Sequence, residues 1–296
     1  MSGNSYGTIF KICTWGESHG EGVGVVVDGC PAGLSLKEAD IQKELDRRKT
    51  GQSKVTTTRK ETDLIQILSG VFKGKTTGTP IALWVENQDA DSSKYEEIKN
   101  KFRPGHADFT YLMKYGFRDY RGGGRSSARE TVGRVAAGAI AKKLLARKRI
   151  KIIGYTKQIG PYIAERMDFK QIEKNIVRCP DKIIAHKMID HVLNARKKGD
   201  SVGGVVELVV KGVQAGLGEP VFDRLDADLA KAMMSIPAVK GIEVGVGFGA
   251  ATMYGSECND PYTAKGTRIT TKTNHAGGIH GGISNGSDII LRLVVK

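Results

Sequence analysis

Two histidines in turn-forming sequences are the side chains of this chain best suited to move a proton. His19 lies in GESHG (residues 16–20) and His106 lies in RPGHAD (residues 103–108). An imidazole titrates near neutral pH and can give or take a proton there. A loop histidine is more often structural, and that alternative stays open for each one alone. Because both lie near cationic loop residues, the pair indicates acid–base chemistry on an anion.

The stretch RDYRGGGRSSARETVGR (residues 118–134) predicts a binding site for such an anion. Three glycines lie between Arg121 and Arg125, and a helical pattern begins at Ser127, which fits a capping box with Glu130. The helix N-terminus would present free N–H groups, and Arg125 could add two parallel hydrogen bonds to a phosphate or carboxylate. A plain loop capped into a helix is the alternative. A P-loop is excluded because no G-K-[ST] follows.

A second cationic cluster, DRRKTGQSK (residues 46–54), ends an expected helix. It contains Arg47, Arg48, Lys49 and Lys54. Cations at a helix C-terminus complement the helix dipole, which is one explanation for the cluster. The other explanation is a clamp for carboxylates or phosphate.

Three other motifs resemble known functional patterns but lack the structural context or the ligands that those patterns require. GESHG matches the nucleophile elbow G-x-S-x-G, but a strand pattern follows it where an elbow needs a helix. GVGFGA (residues 245–250) lacks the helix that a dinucleotide-binding motif requires. In NHAGGIHGGISNG (residues 274–286), His275 and His280 have no carboxylate partners in sequence, so no metal site is expected. The glycine-rich backbone of that stretch suits close approach to a flat ligand.

An internal repeat indicates whether the turn at residues 16–20 requires a histidine at position 19. The copies match without gaps at 10 of 19 positions and span residues 16–34 and 199–217. Ser18 recurs as Ser201, whereas His19 becomes Val202. The turn therefore does not require the imidazole, which favours a functional role for His19. A chance match of short motifs is the alternative.

Composition narrows the kind of partner and the compartment. The net charge of +14, from 46 basic and 32 acidic residues, favours an anionic partner. Aromatic residues make up 6% of the chain and form no base-stacking pattern in the glycine loop, so a small polyanion is favoured over nucleic acid. Four scattered cysteines without a C-x-x-C pair fit a reducing cytoplasm. The sequence shows neither a membrane-length apolar run nor a signal-peptide pattern.

The hydrophobic pattern predicts a mixed α/β fold. Strands are expected at residues 8–14, 23–28, 64–71, 80–86, 150–155, 204–211, 242–246 and 288–295, and helices at 36–49, 127–147, 182–197 and 224–234. Short glycine turns between successive strands favour antiparallel sheets over a doubly wound parallel sheet. We predict one domain, residues 1–296, built from two related halves of about 8–150 and 190–296.

Together these motifs resemble the chorismate synthase family. The residues that carry the resemblance are TWGESHG, DGCPAG, DRRKTG, LSGVFKGKTTGTPI, RPGHADFTY, GGGRSSARET, GLGEPVFDRLDADLAKAMMSIPAVKG and NHAGGIHGGISNG, in family order. The resemblance implies a β-α-β sandwich, with helices between two antiparallel sheets, and a homotetramer. It implies a lyase of the shikimate pathway, which makes aromatic amino acid precursors. In that reaction 5-enolpyruvylshikimate-3-phosphate loses phosphate and a C6 hydrogen to give chorismate, and reduced FMN is required without net redox change.

The resemblance also implies residue roles. His19 would protonate the leaving phosphate, and His106 would stabilise the reduced flavin. The residues expected to bind substrate are Ser18, Arg48, Lys54, Arg103 and Arg125. Lys54 stands where the family often has arginine. The residues expected to bind FMN are Arg125, Ser126, Ser127, Pro237, Ala238, Gly281 and Lys296.

Two expectations concern segments outside the printed sequence. The family pattern continues beyond Lys296 into a Pro-Thr-Ser loop and an Arg-His-Asp-Pro-Cys segment, and a chain without them is expected to bind FMN weakly and to turn over little. No flavin-reductase sequence is appended, so NADPH or another external reductant would supply the electrons. A basic nucleic-acid-binding protein and a catalytically silent scaffold are the alternative functions.

Overall fold

The computed structural model describes residues 3–53, 55–56, 61–88, 93–266 and 268–296. The chain divides into two compact units. The first comprises Met1–Gln52 and Thr56–Leu144, and the second comprises Ser53–Val55 and Leu145–Lys296. Both units combine helices with antiparallel sheets, which confirms the predicted mixed α/β class. That the two halves descend from a duplication stays a prediction.

The first unit is built on an antiparallel sheet in the order β1-β2-β3-β7-β4. Its strands are β1 Ser5–Tyr6, β2 Lys11–Gly16, β3 Gly22–Asp28, β4 Ile65–Ile67, β5 Val71–Phe72, β6 Lys75–Thr76 and β7 Ile81–Glu86. Its helices are α1 Glu38–Arg48, α2 Ser93–Glu96, α3 Asp108–Tyr115 and α4 Thr131–Arg147, whose last turn belongs to the second unit. Strands β5 and β6 pair with each other in a separate hairpin.

The core of the first unit fixes where α4 begins. The apolar side chains buried there include Val25, Val27, Ile41, Leu45, Val132, Ala136 and Ile140. Ile41 and Leu45 are four residues apart and therefore share one face of α1. A Cβ at Gly133 would lie only 3.0 Å from the carbonyl oxygen of Gly24, so glycine allows α4 to approach β3 closely. This packing holds the N-terminal turn of α4 near the β2–β3 hairpin.

The second unit is built on an antiparallel sheet in the order β11-β16-β10-β8-β9. Its strands are β8 Lys151–Ile159, β9 Tyr162–Ile163, β10 Gly204–Lys211, β11 Val239–Val244, β12 Tyr262–Lys265, β13 Arg268–Thr271, β14 Ile279–His280, β15 Ile283–Ser284 and β16 Ile289–Val295. Its helices are α5 Lys182–Lys197, α6 Leu225–Met234 and α7 Gly255–Cys258. Pairs β12–β13 and β14–β15 form separate hairpins.

Most predicted elements exist, with shifted ends. The predicted strand over residues 64–71 is wrong as one element, because Leu68, Ser69 and Gly70 separate β4 from β5 and Gly70 has a φ of +78°. The strand expected at 242–246 is shifted to Val239–Val244, since Gly245 turns the chain with a φ of +60°. Helix α3 was not predicted, because its apolar residues include exposed Phe109 and Met113 and form no buried stripe.

The predicted capping box is half wrong. The Ser127 side chain does accept a hydrogen bond from the Arg129 backbone N–H, at 3.3 Å. Glu130 does not reach back to Ser127; its carboxylate accepts from Thr14 Oγ1 and from Arg134 Nε. The segment Ala128–Glu130 is a 3₁₀ turn, so α4 begins at Thr131 rather than at Ser127.

The cysteines Cys13, Cys30, Cys179 and Cys258 carry free thiols. In the described ranges, no helix is long and apolar enough to cross a membrane.

Candidate active site

The turn that carries His19 connects β2 to β3 in the first unit. Gly16 ends β2 with a φ of +85°, and a Cβ there would overlap the carbonyl oxygen of Gly22, so this corner needs glycine. Ser18 is only 1% exposed, and its Oγ lies 3.2 Å from His19 Nδ1. His19 itself is half-buried. The turn is not a nucleophile elbow, because it is followed by strand β3 and an elbow requires a helix there.

The turn that carries His106 ends at a buried carboxylate. Asp108 begins α3 and is 4% exposed. Arg103 Nε and Nη2 each donate to this carboxylate at 2.8 Å, and Arg118 Nη1 donates at 3.1 Å. The bidentate hydrogen bonds from Arg103 hold the pKa of Asp108 well below its usual range. Asp108 is therefore an anion at neutral pH, held between two guanidinium groups.

His106 can be neutral or protonated without losing a partner on Nδ1. That nitrogen lies 3.2 Å from Arg103 Nη2, a donor, and 3.1 Å from Asp108 Oδ1, an acceptor. A neutral ring can accept from the guanidinium at Nδ1, and a protonated ring can donate to the carboxylate there. Arg103 and Asp108 therefore hold Nδ1 in place whichever ring nitrogen carries the proton.

The glycine loop brings the two histidines together. A Cβ at Gly122 would overlap His19 Nδ1, and a Cβ at Gly123 would lie 2.9 Å from His106 Nε2. Tyr95 completes the cluster from another side: its ring centroid is 5.1 Å from that of His19 and 5.6 Å from Arg103 Cζ. The structure therefore assembles these loops into one cluster within the first unit.

Arg125 lies at the end of the glycine loop with an uncompensated charge. Its guanidinium donates to neutral oxygens: the carbonyls of Gly16 and Thr14, Thr14 Oγ1 and Asn4 Oδ1. No carboxylate in the described part of the chain forms an ion pair with it. Ser126, next to it, donates from Oγ to the carbonyl of Gly123. A guanidinium held by neutral oxygens keeps a positive charge that an anion could pair with, and the anion-binding role of Arg125 stays a prediction.

Arg48 is placed by a buried charge network. Asp63 is fully buried and accepts from Arg48 Nη1 at 2.9 Å and from Arg129 Nη1. Arg48 Nε also donates to Thr131 Oγ1 at 3.2 Å, where α4 begins. Dipole complementation alone therefore does not account for Arg48, because it joins the end of α1 to the start of α4. Lys54, the other cation expected from that cluster, lies outside the described residues.

The candidate residues of the second unit lie in two tight turns and at a strand end. Pro237 and Ala238 form a turn closed by the Val239 N–H, and the φ of +68° at Ala238 after proline is typical of a type II turn. The Lys296 N–H donates to the Ala238 carbonyl, at the end of the β11–β16 ladder. Gly281 is the first residue of the two-residue β14–β15 turn. No described atom outside its own segment lies within 4 Å of the position a Cβ would take there.

Asp63, Asn87 and Asp108, whose contacts organise the site, were not predicted from the sequence. Asp108 could have been found, because the spacing H-A-D places a carboxylate two residues after His106. Asp63 and Asn87 contact residues 15 or more positions away, so local patterns carry no signal for them.

A family model for chorismate synthase matches residues 10–296. The chain belongs to the chorismate synthase family. Chorismate synthase of Methanosarcina barkeri is 61% identical over 300 residues, covering 100% of this chain and 82% of the relative. Chorismate synthase of Chloroflexus aurantiacus is 59% identical over 298 residues, with the same coverage.

The fold agrees with this assignment. A crystal structure of chorismate synthase superposes with a TM-score of 0.82 at 34% sequence identity, covering 98% of this chain and 84% of that one. The resemblance inferred from the motifs is confirmed, and with it the lyase activity in the shikimate pathway. In the described ranges, no group of three or more His, Cys, Asp or Glu side chains is arranged to hold a metal ion.

Proposed function

We propose that this chain converts 5-enolpyruvylshikimate-3-phosphate to chorismate by anti-1,4-elimination, and that the histidine cluster of the first unit does the proton chemistry. The observation that supports the residue roles is the convergence of His19, His106 and Arg103 with Gly122 and Gly123. Two proton-transfer groups and a guanidinium suit a reaction that expels phosphate from a polyanion.

The charges of the cluster suit the substrate. The substrate carries two carboxylates and a phosphate, and transferring these charges from water into a protein site requires preorganised cations. Arg125 offers a guanidinium whose partners are neutral, and Arg103 with Arg118 outweigh the single charge of Asp108. We propose that Arg48, Arg103, Arg125 and Ser18 bind this substrate. Lys54 is proposed as a further cation on the basis of the motif alone.

His19 is proposed to hold the proton that the departing phosphate oxygen takes. Its Nδ1 faces Ser18 Oγ, which orients the ring toward the glycine loop. His106 is proposed to hold a proton at Nδ1 against Asp108, and so to keep positive charge available to an anionic cofactor ring. As a result, one imidazole serves the leaving group and the other serves the cofactor.

The residues present fit an anionic flavin. The charge of Arg125, which no described carboxylate pairs, and the adjacent hydroxyls of Ser126 and Ser127 are suitable contacts for a phosphate. We propose that Arg125, Ser126 and Ser127 contact reduced FMN. For Pro237, Ala238, Gly281 and Lys296, which belong to the second unit, an FMN-binding role is proposed from the family resemblance alone. Reduced FMN, when bound, supplies the electron-rich group that the elimination requires. NADPH or another external reductant is proposed as its source of electrons.

We further propose that the protein works as a homotetramer in the cytoplasm. The support is the family resemblance for the tetramer and the four free thiols for a reducing compartment. Light scattering of the purified protein tests the first proposal, with a mass of four times 32.0 kDa expected. A monomeric mass at micromolar concentration would contradict it.

The function is tested by anaerobic turnover of the purified protein with 5-enolpyruvylshikimate-3-phosphate and dithionite-reduced FMN. We expect chorismate and phosphate in equal amounts with reduced FMN and no product with oxidised FMN alone. Arg125→Met should raise the dissociation constants of FMN and substrate by about tenfold or more, as expected for a lost charged hydrogen bond. Arg147→Met, an exposed arginine at the end of α4, is the control and should bind as the parent does. Absence of chorismate with reduced FMN would contradict the proposal.

A further inference from the structure

One amide side chain encloses the turn that carries His19. Asn87 directly follows β7, and its Nδ2 donates to the carbonyl oxygens of Glu17 at 2.9 Å and Gly20 at 2.8 Å. Its backbone N–H donates to the Glu21 carbonyl at 2.9 Å. Three hydrogen bonds from one residue therefore reach both sides of the turn that presents Ser18 and His19.

The orientation of the Asn87 amide is fixed by Arg129, on the side away from the turn. Asn87 Oδ1 accepts from Arg129 Nε at 2.7 Å, and a guanidinium can only donate. Asn87 must therefore direct its NH₂ group, which has two donors, at the two carbonyls of the turn. A flipped amide would place a donor against a donor and an acceptor against two acceptors.

Arg129 in turn is held in a buried charge network. It is 4% exposed, donates to fully buried Asp63, and lies 3.7 Å from Glu61 Oε2 through Nη2. Asp63 also binds Arg48. The charges of Arg48 and Arg129 are thus balanced by Asp63 and Glu61, so the network can remain buried without a net charge. It connects the turn of His19 to a proposed substrate-binding arginine.

We propose that Asn87 is a positioning residue: with Arg129 behind it, Asn87 fixes the turn so that His19 stays aligned with Ser18 and the departing group. The proposal rests on the proposed function of His19. Asn87 acts through the turn and not by contact with the reacting atoms. Loss of its side chain should therefore lower kcat more than it changes KM, because misalignment of about 1 Å can cost about 100-fold in rate.

The test uses Asn87→Ala and Asn87→Asp in the full chain. Asp at this position can still accept from Arg129 but turns a carboxylate oxygen toward the Glu17 and Gly20 carbonyls, so it replaces the two hydrogen bonds by repulsion, whereas Ala only removes them. Gln88→Ala is the matched control, because the neighbouring amide is exposed and contacts Thr62 Oγ1 instead. We expect kcat to fall by about 10- to 100-fold in both Asn87 variants, with a smaller change in KM, and no change in the control.

A second readout needs neither cofactor nor turnover. In the cofactor-free protein, the imidazole NMR signals of His19 should broaden or shift in both Asn87 variants, and the Gly20 amide, bonded to the Glu17 carbonyl, should exchange faster with solvent. His186, exposed on α5, supplies the reference signal and should not change.

The outcomes separate this proposal from the proposed function. Unchanged His19 signals and Gly20 exchange in both variants would overturn the positioning role of Asn87. Equal losses of kcat in the Asn87 variants and in Gln88→Ala would overturn it as well. A parent protein that forms no chorismate would contradict the proposed function, while the NMR readout would still decide whether Asn87 holds the turn.

Discussion

The two copies of the G-x-S-x-G turn have similar sequences and different surroundings. The histidine turn (residues 16–20) follows β2, buries Ser18 to 1% exposure and is bonded by the Asn87 amide. The valine turn (residues 199–203) follows α5, leaves Ser201 exposed and accepts a hydrogen bond from Lys296 Nζ to the Ser201 carbonyl at 3.0 Å. The shared glycines and serine therefore specify a turn but not its surroundings.

The difference shows where the candidate chemistry is specified. His19 occupies a position that valine also fills, so its identity is not required by the backbone. What distinguishes the histidine turn is the set of groups around it: Gly122 against the ring, Tyr95 beside it, and the network of Asn87 and Arg129 behind it. The histidine turn therefore has an ordinary backbone, and it differs from the valine turn in the charged and closely packed groups around it.

The strongest test of this comparison removes the charge behind the histidine turn. Asp63→Asn leaves Arg48 and Arg129 without their shared carboxylate, and asparagine tolerates the φ of +50° at this position. Because breaking a buried ion pair on one side is costly, we expect the free energy of unfolding to fall by about 3–5 kcal/mol in urea denaturation. Asp226→Asn is the control, since its pair with Arg224 is at the surface and its loss should change the free energy of unfolding little. Equal losses in both variants would contradict the buried network.

A Cβ in the glycine loop tests the fit around His19. Gly122→Ala would force the His19 ring to move, and we expect kcat to fall by about 100-fold. Gly116→Ala is the matched control, because Gly116 also has a positive φ of +70° but no described neighbour within 4 Å of the new Cβ. The two variants carry similar backbone strain, so a difference in kcat reports the contact with His19. Similar kcat values would show that the loop does not hold the ring.

Acid sensitivity should distinguish the His106 turn from the valine turn, which has no such carboxylate network in the described structure. Hydrogen bonds from Arg103 lower the pKa of Asp108 in the folded protein, so its stabilisation is present above the unfolded pKa of about 3.9 and is lost as pH falls below it. We expect Asp108→Asn to be about 2 kcal/mol less stable than the parent at pH 7. That difference should shrink between pH 4 and pH 2 in urea denaturation. A constant difference across this range would contradict the assignment.

The serines at equivalent positions give the smallest expected effect. Ser18→Ala removes a buried hydroxyl beside His19 and should lower the free energy of unfolding by about 1 kcal/mol. Ser201→Ala alters an exposed side chain and should change it by less than about 0.5 kcal/mol. Thermal or urea unfolding of both variants checks the difference, and a larger loss at Ser201 would reverse the comparison.

Sequence patterns predict the helices and strands of this chain better than the hydrogen-bond network of Asp63, Asn87 and Arg129. The helix at 182–197 and the strand at 204–211 have the predicted bounds, because Asp181 caps the helix and the strand has a continuous apolar run. His19, His106 and Arg125 could be singled out because turn glycines and neighbouring cations mark them. Asp63 and Asn87 could not, since they act only once the chain folds β7 against β3 and brings Arg129 to them. Helix α3 was not predicted because its apolar side chains, such as Phe109 and Met113, are exposed and form no periodic buried face.

The most direct measurement places the residue of the valine turn into the histidine turn. We would measure anaerobic chorismate formation and the urea unfolding midpoint of His19→Val beside the parent. If the turn needs no imidazole and the reaction does, turnover should fall by about 100- to 10,000-fold, as expected for a lost general acid, while the midpoint stays close to that of the parent. Turnover at the parental rate, or loss of turnover only through unfolding, would contradict the claim that the histidine turn is an ordinary turn carrying a catalytic side chain.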